Sequence, residues 1–280
     1  NARYNDPFLK RVLELTYAQK KRLDPEALLS NQLIKASEES LLQKSYSFDT
    51  SGFCLLRSDT RTVVLKFGGE GIGHGHPDKL SITIHDGKNE LVSDFGTSGY
   101  GVPDYLKWYK RTLSHNTVTV DAKDQKRSVG KLLKFNPRSD GGYAEAETTT
   151  AYPGVRMKRS LDLKGTHLQD VYTCTSDSSH LYEYVILFNE KPLMDGQPTA
   201  TTLTGSEVHE RIHNIFSYPH KSGFTCRTSS ASVQFDIPEG EVMEVVLGEA
   251  SGIPANPTVK DGPGAGDVAV KPCYPLIIRM

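Results

Sequence analysis

Leu80-Ser81-Ile82-Thr83-Ile84-His85 alternates apolar and polar residues, Asp86-Gly87 follows, and the chain resumes in Glu90-Leu91-Val92-Ser93-Asp94. Successive side chains of a strand point to opposite faces, so a period of two marks a strand with one face buried. An Asp-Gly pair readily takes the positive φ angles of a tight hairpin turn. The stretch therefore reads as two antiparallel strands, and its texture continues in both directions. Upstream lie Phe53-Cys54-Leu55-Leu56-Arg57 and Thr62-Val63-Val64-Leu65-Lys66-Phe67. Downstream come His115 to Asp121, Val155 to Leu163, Leu168 to Thr175, Leu181 to Phe188, Ser232 to Ile237, Glu241 to Leu247 and Tyr274 to Arg279. Runs of Val, Ile, Thr, Tyr and Phe between Gly, Asp, Asn and Ser clusters predict a mainly β fold from Tyr46 to Met280, an antiparallel sandwich or stacked sheets. Residues 248–272 are rich in Gly and Pro and read as a long surface loop.

Residues 4–45 have a different period. Leu9, Val12, Leu13 and Tyr17 recur at helical spacing after Asp6-Pro7. Asp24-Pro25 opens a second helix through Leu28, Leu29, Leu33 and Ile34, with Asp24 as cap and Pro25 in the first turn. Two such helices make no core alone. Residues 1–45 are expected to be the stump of a larger helical domain, with Asn1-Ala2 a tag remnant, and 46–280 a separate β-domain.

The chain of 280 residues carries 33 basic and 34 acidic side chains, a net charge of −1. That balance argues against a nucleic-acid partner or a polybasic membrane surface. No run approaches the roughly 18 apolar residues that span a bilayer. Cys54, Cys174, Cys226 and Cys273 form no CxxC pair, so they read as small buried hydrophobes rather than a zinc-thiolate site.

The chemistry concentrates between Thr62 and Asp121. Gly68-Gly69-Glu70-Gly71-Ile72-Gly73-His74-Gly75-His76-Pro77-Asp78 holds two histidines in a glycine-rich loop. Asp94-Phe95-Gly96-Thr97-Ser98-Gly99-Tyr100-Gly101 and Ser114-His115-Asn116-Thr117-Val118 follow. His76, Asp94 and His115 lie at the ends of predicted strands. Two imidazoles and a carboxylate make a zinc set with a fourth position open, and Asp78 or Asn116 is placed to orient a ligand. The competing reading makes these histidines unrelated core or surface residues. Tyr105, Trp108 and Tyr109 read either as packing on a sheet face or as a stacking platform for sugar rings. Lys107, Lys110 and Arg111 read as charge for an anionic substrate or as a solvated basic face. His85, His167, His180, His209, His213 and His220 read as isolated.

These segments resemble the heparinase II/III-like polysaccharide lyases. The resemblance rests on His74-Gly75-His76-Pro77-Asp78, Asp94-Phe95-Gly96-Thr97 and Ser114-His115-Asn116-Thr117-Val118 in that order, and on Gly154-Val155-Arg156, Arg159 and Asp177 to His180. Thr97 to Gly101 looks nearest the oligoalginate lyase branch. The resemblance implies an (α/α) toroid ahead of antiparallel sheets, with the active site in the cleft between them. It implies a structural zinc ion on His76, Asp94 and His115, and His74 facing the cleft as a catalytic residue. It implies sugar contact by Tyr100 and by Tyr105 or Tyr109, and Arg111 joins them as a substrate-binding residue by its charge. The implied function is β-elimination on alginate, heparin or heparan sulfate in the periplasm or outside the cell. The base and acid would come from the toroid, and this chain alone would be inactive. The family pattern's second histidine near Phe188 is missing here. A non-catalytic carbohydrate-binding sandwich and a zinc hydrolase using Glu70 are the competing functions.

Overall fold

Strands form where the alternation was read, and in further places where it was not. The computed structural model describes residues 44–69, 75–87, 89–95, 104–218, 223–237, 244–254 and 270–280. The two predicted helices, His74 and Tyr100 lie outside these residues. In chain order the strands are β1 (Tyr46–Phe48), β2 (Phe53–Arg57), β3 (Arg61–Lys66), β4 (Ser81–Asp86), β5 (Asn89–Val92), β6 (Val118–Val120), β7 (Lys131–Arg138), β8 (Gly141–Tyr152) and β9 (Val155–Lys164). They continue with β10 (His167–Ser176), β11 (Tyr182–Phe188), β12 (Leu193–Met194), β13 (Thr199–Ala200), β14 (His213–Tyr218), β15 (Gly223–Arg227), β16 (Ser232–Asp236), β17 (Glu244–Pro254) and β18 (Val270–Arg279).

The predicted Asp86-Gly87 hairpin is present, with Asp86 opposite Asn89 and Gly87 at φ 57°. The main sheet runs β1-β2-β3-β4-β5-β11-β18-β17-β14-β13, with β6 paired to β11. A second sheet runs β10-β9-β8-β7, and a small third one β12-β15-β16. All their pairings are antiparallel.

Period two then decides which side chains meet. Cys54, Leu56, Val63, Leu65 and Ile82 from the main sheet pack on Ala144, Ala146, Met157, Leu161 and Leu163 from the second. In β11, Val185 and Leu187 face a core with Trp108, Leu113, Val208 and Ile212. Its alternate residues Ile186 and Phe188 face Phe224 and Cys226 of the third sheet. Both faces of β11 are covered, which explains its apolar run from Tyr184 to Phe188.

Two expectations are corrected. Residues 248–254, read as loop, continue β17, and β18 begins at Val270, so Gly248, Gly252, Pro254 and Pro272 sit within a ladder that is irregular between Ser251 and Pro254, while the rest of the predicted loop, 255–269, lies outside the described residues. His209, read as isolated, is buried against Glu183, with Nε2 3.0 Å from Oε1. Glu183 also accepts hydrogen bonds from Arg279 Nε at 3.0 Å and from Thr119 Oγ1 at 2.7 Å. The network joins β6, β11, β18 and the short 3-10 turn His209–Arg211.

Burial opposes the charge on Glu183, but bonds from His209, Thr119 and Arg279 outweigh it and hold the carboxyl below its ordinary value of 4.5. A depressed carboxyl contributes stability above its unfolded pKa and loses it as pH falls through the folded one. Glu183→Ala leaves the buried His209 without its carboxylate and Arg279 with one partner fewer, and is expected to cost about 3–5 kcal/mol in chemical denaturation. Glu183→Gln is expected to flatten the loss of Tm on acidification below pH 4.5; an unchanged acid profile would refute this assignment.

Candidate metal centre

The histidine loop leaves β3 at Lys66 and rejoins the sheet at Ser81, and both ends are pinned. Phe67 N and Gly68 N each donate to Gly52 O at 2.7 Å. A Cβ on Gly68 would come within 2.4 Å of Gly52 Cα, so this close approach requires glycine. At the far end Leu80 takes φ 63°, a left-handed conformation that costs a leucine about 1–2 kcal/mol. Its N–H donates to Lys66 O at 2.8 Å and its carbonyl accepts from Arg159 Nη1 at 2.7 Å, which holds it there.

The loop's last turn is buried and polar. Thr112 Oγ1 donates to Pro77 O at 2.8 Å. The Gln125 side chain pairs with the Lys79 backbone, accepting from Lys79 N at 2.7 Å and donating to Lys79 O at 3.1 Å. Thr117 Oγ1 donates to the same carbonyl at 2.7 Å. The fully buried Lys79 Nζ lies 3.0 Å from Asp78 Oδ1, and Lys66 Nζ grips Oδ2. A buried ammonium is tolerated only with such a partner.

His115 arrives from the other side, after the 3-10 turn Thr112–Ser114. Its Nε2 lies 3.3 Å from His76 Nδ1, and its Nδ1 lies 3.2 Å from Asp94 Oδ2. The next residue fixes this position. Asn116 Nδ2 donates to Ile82 O at 2.8 Å and Ser93 O at 2.7 Å, and its Oδ1 accepts from Leu187 N at 2.7 Å. Asn116 thus ties β4, the chain after β5, and β11 together. Its own carbonyl accepts from Arg159 Nη1 at 2.5 Å.

The sequence set His76, Asp94 and His115 does come together, in a particular way. The two imidazoles face each other, and Asp94 meets His115 at the opposite ring nitrogen. The carboxylate sharing the pocket with both imidazoles is Asp78, all three donor atoms lying within 4.8 Å of one another. Two nitrogens on one tetrahedral zinc ion stand about 3.3 Å apart, given Zn–N bonds of about 2.0–2.1 Å. The His76–His115 separation matches that edge. Burial, then the neighbouring His115, push the His76 imidazole down to about 4, so it presents the neutral nitrogen a metal needs. Burial opposes charge on His115, but the charge and hydrogen bond of Asp94 hold it above its ordinary value. The donor set fits zinc, with Asp94 orienting one imidazole.

The remaining predicted residues behave differently. Tyr105 and Tyr109 lie on a five-residue π-helical turn, Tyr105–Tyr109. Tyr105 is buried with its ring centroid 6.5 Å from that of His76. Tyr109 is 2% exposed, which leaves no face for a sugar to stack on. Its hydroxyl donates to Gly252 O at 2.8 Å, and burial pushes it up to about 12. Trp108 Nε1 donates to Ser251 O at 2.7 Å, so both side chains anchor this turn to β17. Arg111 is ion-paired with Asp124 at 2.6 Å and Glu207 at 2.8 Å, and its charge is already compensated. Lys79, Gln125 and Arg159 were missed as supports of the site. Alternation carried a signal for one of them: Val155, Met157, Arg159, Leu161 and Leu163 share the buried face of β9.

Stacked antiparallel sheets bearing a buried histidine pair define the class, and the comparisons supply the family. The family model described as "Heparinase II/III-like, C-terminal" matches residues 41–237, and the chain belongs to that family. It is 28% identical over 214 residues to an alginate lyase of Stenotrophomonas maltophilia, covering 64% of this chain and 29% of the relative. It is 28% identical over 153 residues to an exo-oligoalginate lyase of Saccharophagus degradans, covering 45% of this chain and 20% of that protein. The same identity over 165 residues relates it to a heparin-sulfate lyase of Bacteroides stercoris, covering 54% and 24%. The chain thus spans less than a third of the length of these relatives. Its fold is similar to that of a heparinase III, with TM-score 0.62, 16% identity and coverage of 98% of this chain and 38% of the other. Heparan sulfate lyase HepC of Pedobacter heparinus gives TM-score 0.58, 14% identity and coverage of 99% and 40%.

His115→Ala is expected to abolish zinc retention by the purified chain. Asp78→Asn should remove a donor, and Asp94→Asn should weaken zinc affinity by about 10–100-fold by releasing His115. Metal titration against a chromophoric chelator checks the ranking. A larger loss in Asp94→Asn would make Asp94 the ligand and Asp78 the support.

Proposed function

We propose that this chain is the C-terminal domain of a polysaccharide lyase that cleaves uronate-containing glycans by β-elimination. The observation carrying the reading is the buried His76–His115 pair at the base of the His74 loop in a heparinase II/III-like domain. Alginate, heparin and heparan sulfate, named for its relatives, define the substrate class.

The reaction removes the C5 proton, alpha to the uronate carboxylate, and expels the C4 oxygen. No water is consumed, and a C4–C5 double bond is left in the product. The C5 carbon is a weak acid, so charge developing on the carboxylate needs stabilisation. His74, in the same loop as His76, is assigned to the cleft, neutralising that charge or assisting proton transfer. The clamps on Phe67, Pro77, Lys79 and Leu80 hold both ends of the segment that contains His74, which supports this assignment. Zinc on His76, His115 and a carboxylate would lock the loop's shape and is assigned no step of the elimination. Tyr100 is assigned to sugar contact. The principal base and acid are assigned to a preceding helical toroid, and the protein to the periplasm or exterior.

The test is a panel of uronate polysaccharides offered to the full-length protein, with absorbance of the unsaturated uronate as readout. Elimination is expected, and His74→Ala should slow it by about 10²–10⁴-fold. The 280-residue chain alone should show no turnover. New reducing ends without the unsaturated chromophore would mean hydrolysis and overturn the proposal.

A further inference from the structure

The segment that braces the histidine loop is itself basic. Residues 121–131 read Asp-Ala-Lys-Asp-Gln-Lys-Arg-Ser-Val-Gly-Lys. Gln125 holds one end of the loop, at Lys79, and Gly130 N donates to Phe67 O at the other, 2.7 Å away. A Cβ on Gly130 would lie 2.6 Å from Phe67 O, so the two stretches of chain touch. Exposed Val129 sits against Gly69, where the glycine-rich run begins. Lys126 to Val129 therefore flank the loop along its base.

Lys123, Lys126, Arg127 and Lys131 are all exposed. The two acids of the segment are engaged elsewhere, Asp121 with His180 and Asp124 with Arg111. Among the described residues no carboxylate is ion-paired with Lys123, Lys126 or Lys131, whereas Arg61, Lys66, Lys79, Arg111, Arg138, Arg156 and Arg159 are all paired. The backbone beneath these cations is fixed. Lys126 N donates to Ala151 O at 2.8 Å, and Tyr152 Oη donates to Lys123 O at 2.8 Å. Exposed cations on a fixed backbone beside the loop make a preformed positive edge.

We propose that Lys126, Arg127 and Lys131, with Lys123, form a binding edge for the carboxylate or sulfate groups of a glycan chain running beyond the sugar at the histidine loop. The assignment rests on the lyase reading for its ligand class and differs from it in residues and in readout. The edge binds by charge, so its affinity should fall with salt as counterions are released.

The test is calorimetric titration of the 280-residue chain with an alginate octasaccharide, a heparin octasaccharide and a neutral xylan oligosaccharide. The K126A/R127A/K131A variant is expected to bind one or both anionic octasaccharides at least about tenfold more weakly at low salt, with a shallower salt dependence. Loss confined to heparin assigns the edge to sulfate, and loss of both to carboxylate as well. K164A/K191A/K271A, which removes exposed lysines elsewhere, should bind within about twofold of the parent. Equal losses in the two variants would mean diffuse attraction and overturn the edge. So would an unchanged first variant, or a parent chain that binds neither anionic octasaccharide. Elimination is not measured here, so a full-length protein without lyase activity would remove that reading and leave the edge standing.

Discussion

One buried guanidinium holds the two large sheets and the site in register. Arg159 is fully buried on β9, where its alternate neighbours are Met157 and Leu161. Taking such a charge out of water costs several kcal/mol, so every donor must find a partner. Nε and Nη2 reach Asp170 on β10 at 2.9 and 2.5 Å, and Nη2 also reaches the Tyr184 hydroxyl on β11. The rings of Tyr172 and Tyr184 lie 5.2 and 5.7 Å from the guanidinium carbon. Nη1 crosses to the main sheet and bonds the carbonyls of Leu80 and Asn116. Those two residues follow the stretches that carry His76 and His115. An apolar side chain of the same size would fill the space and leave both carbonyls unsatisfied.

The rest of the site elaborates that constraint. Asn116 spends its side-chain amide on three separate stretches of the main sheet, and Gln125 reads the Lys79 backbone as a strand neighbour would. Tyr172 donates its hydroxyl to Thr117 Oγ1 at 3.1 Å, since Thr117 already donates to Lys79. Donors on both sheets thus converge on Lys79, Leu80, Asn116 and Thr117. The imidazoles need no strong attraction to each other, because the backbone beside each is held by its own hydrogen bonds. A histidine pair this close, with one imidazole held neutral by burial, is what the surrounding hydrogen bonds impose.

Local pattern explains which elements were legible. The β4–β5 hairpin and β2, β3, β9 and β10 follow period two, because each has one face on a core, and β11 was legible as an apolar run because both its faces are covered. β7 and β8 were missed: Asn136-Pro137 and Gly141-Gly142 look like turn residues, and β7 is mostly exposed, so little alternation remained. The short strands β12 and β13 exist only through their partners β15 and β14. Glu183 was overlooked because an apolar run surrounds it, although its parity with Val185 and Leu187 places it on their face.

The pairing of His76 with His115 across 39 positions was implied by the family resemblance, whereas the sequence by itself determined the β class of residues from Tyr46 onward and the glycine-rich segment that carries His74 and His76. Those follow from residue type and spacing along the chain. Tertiary structure alone decided which carboxylate shares the pocket with the imidazoles, that Tyr109 spends its hydroxyl on Gly252, and that Asp124 and Glu207 neutralise Arg111. It also decided that, among the described residues, no carboxylate is ion-paired with Lys126 or Lys131 beside the loop. A side chain's charge can be read from its letter. Whether that charge is compensated depends on groups brought near it from distant positions, and only the arrangement of the sheets supplies them.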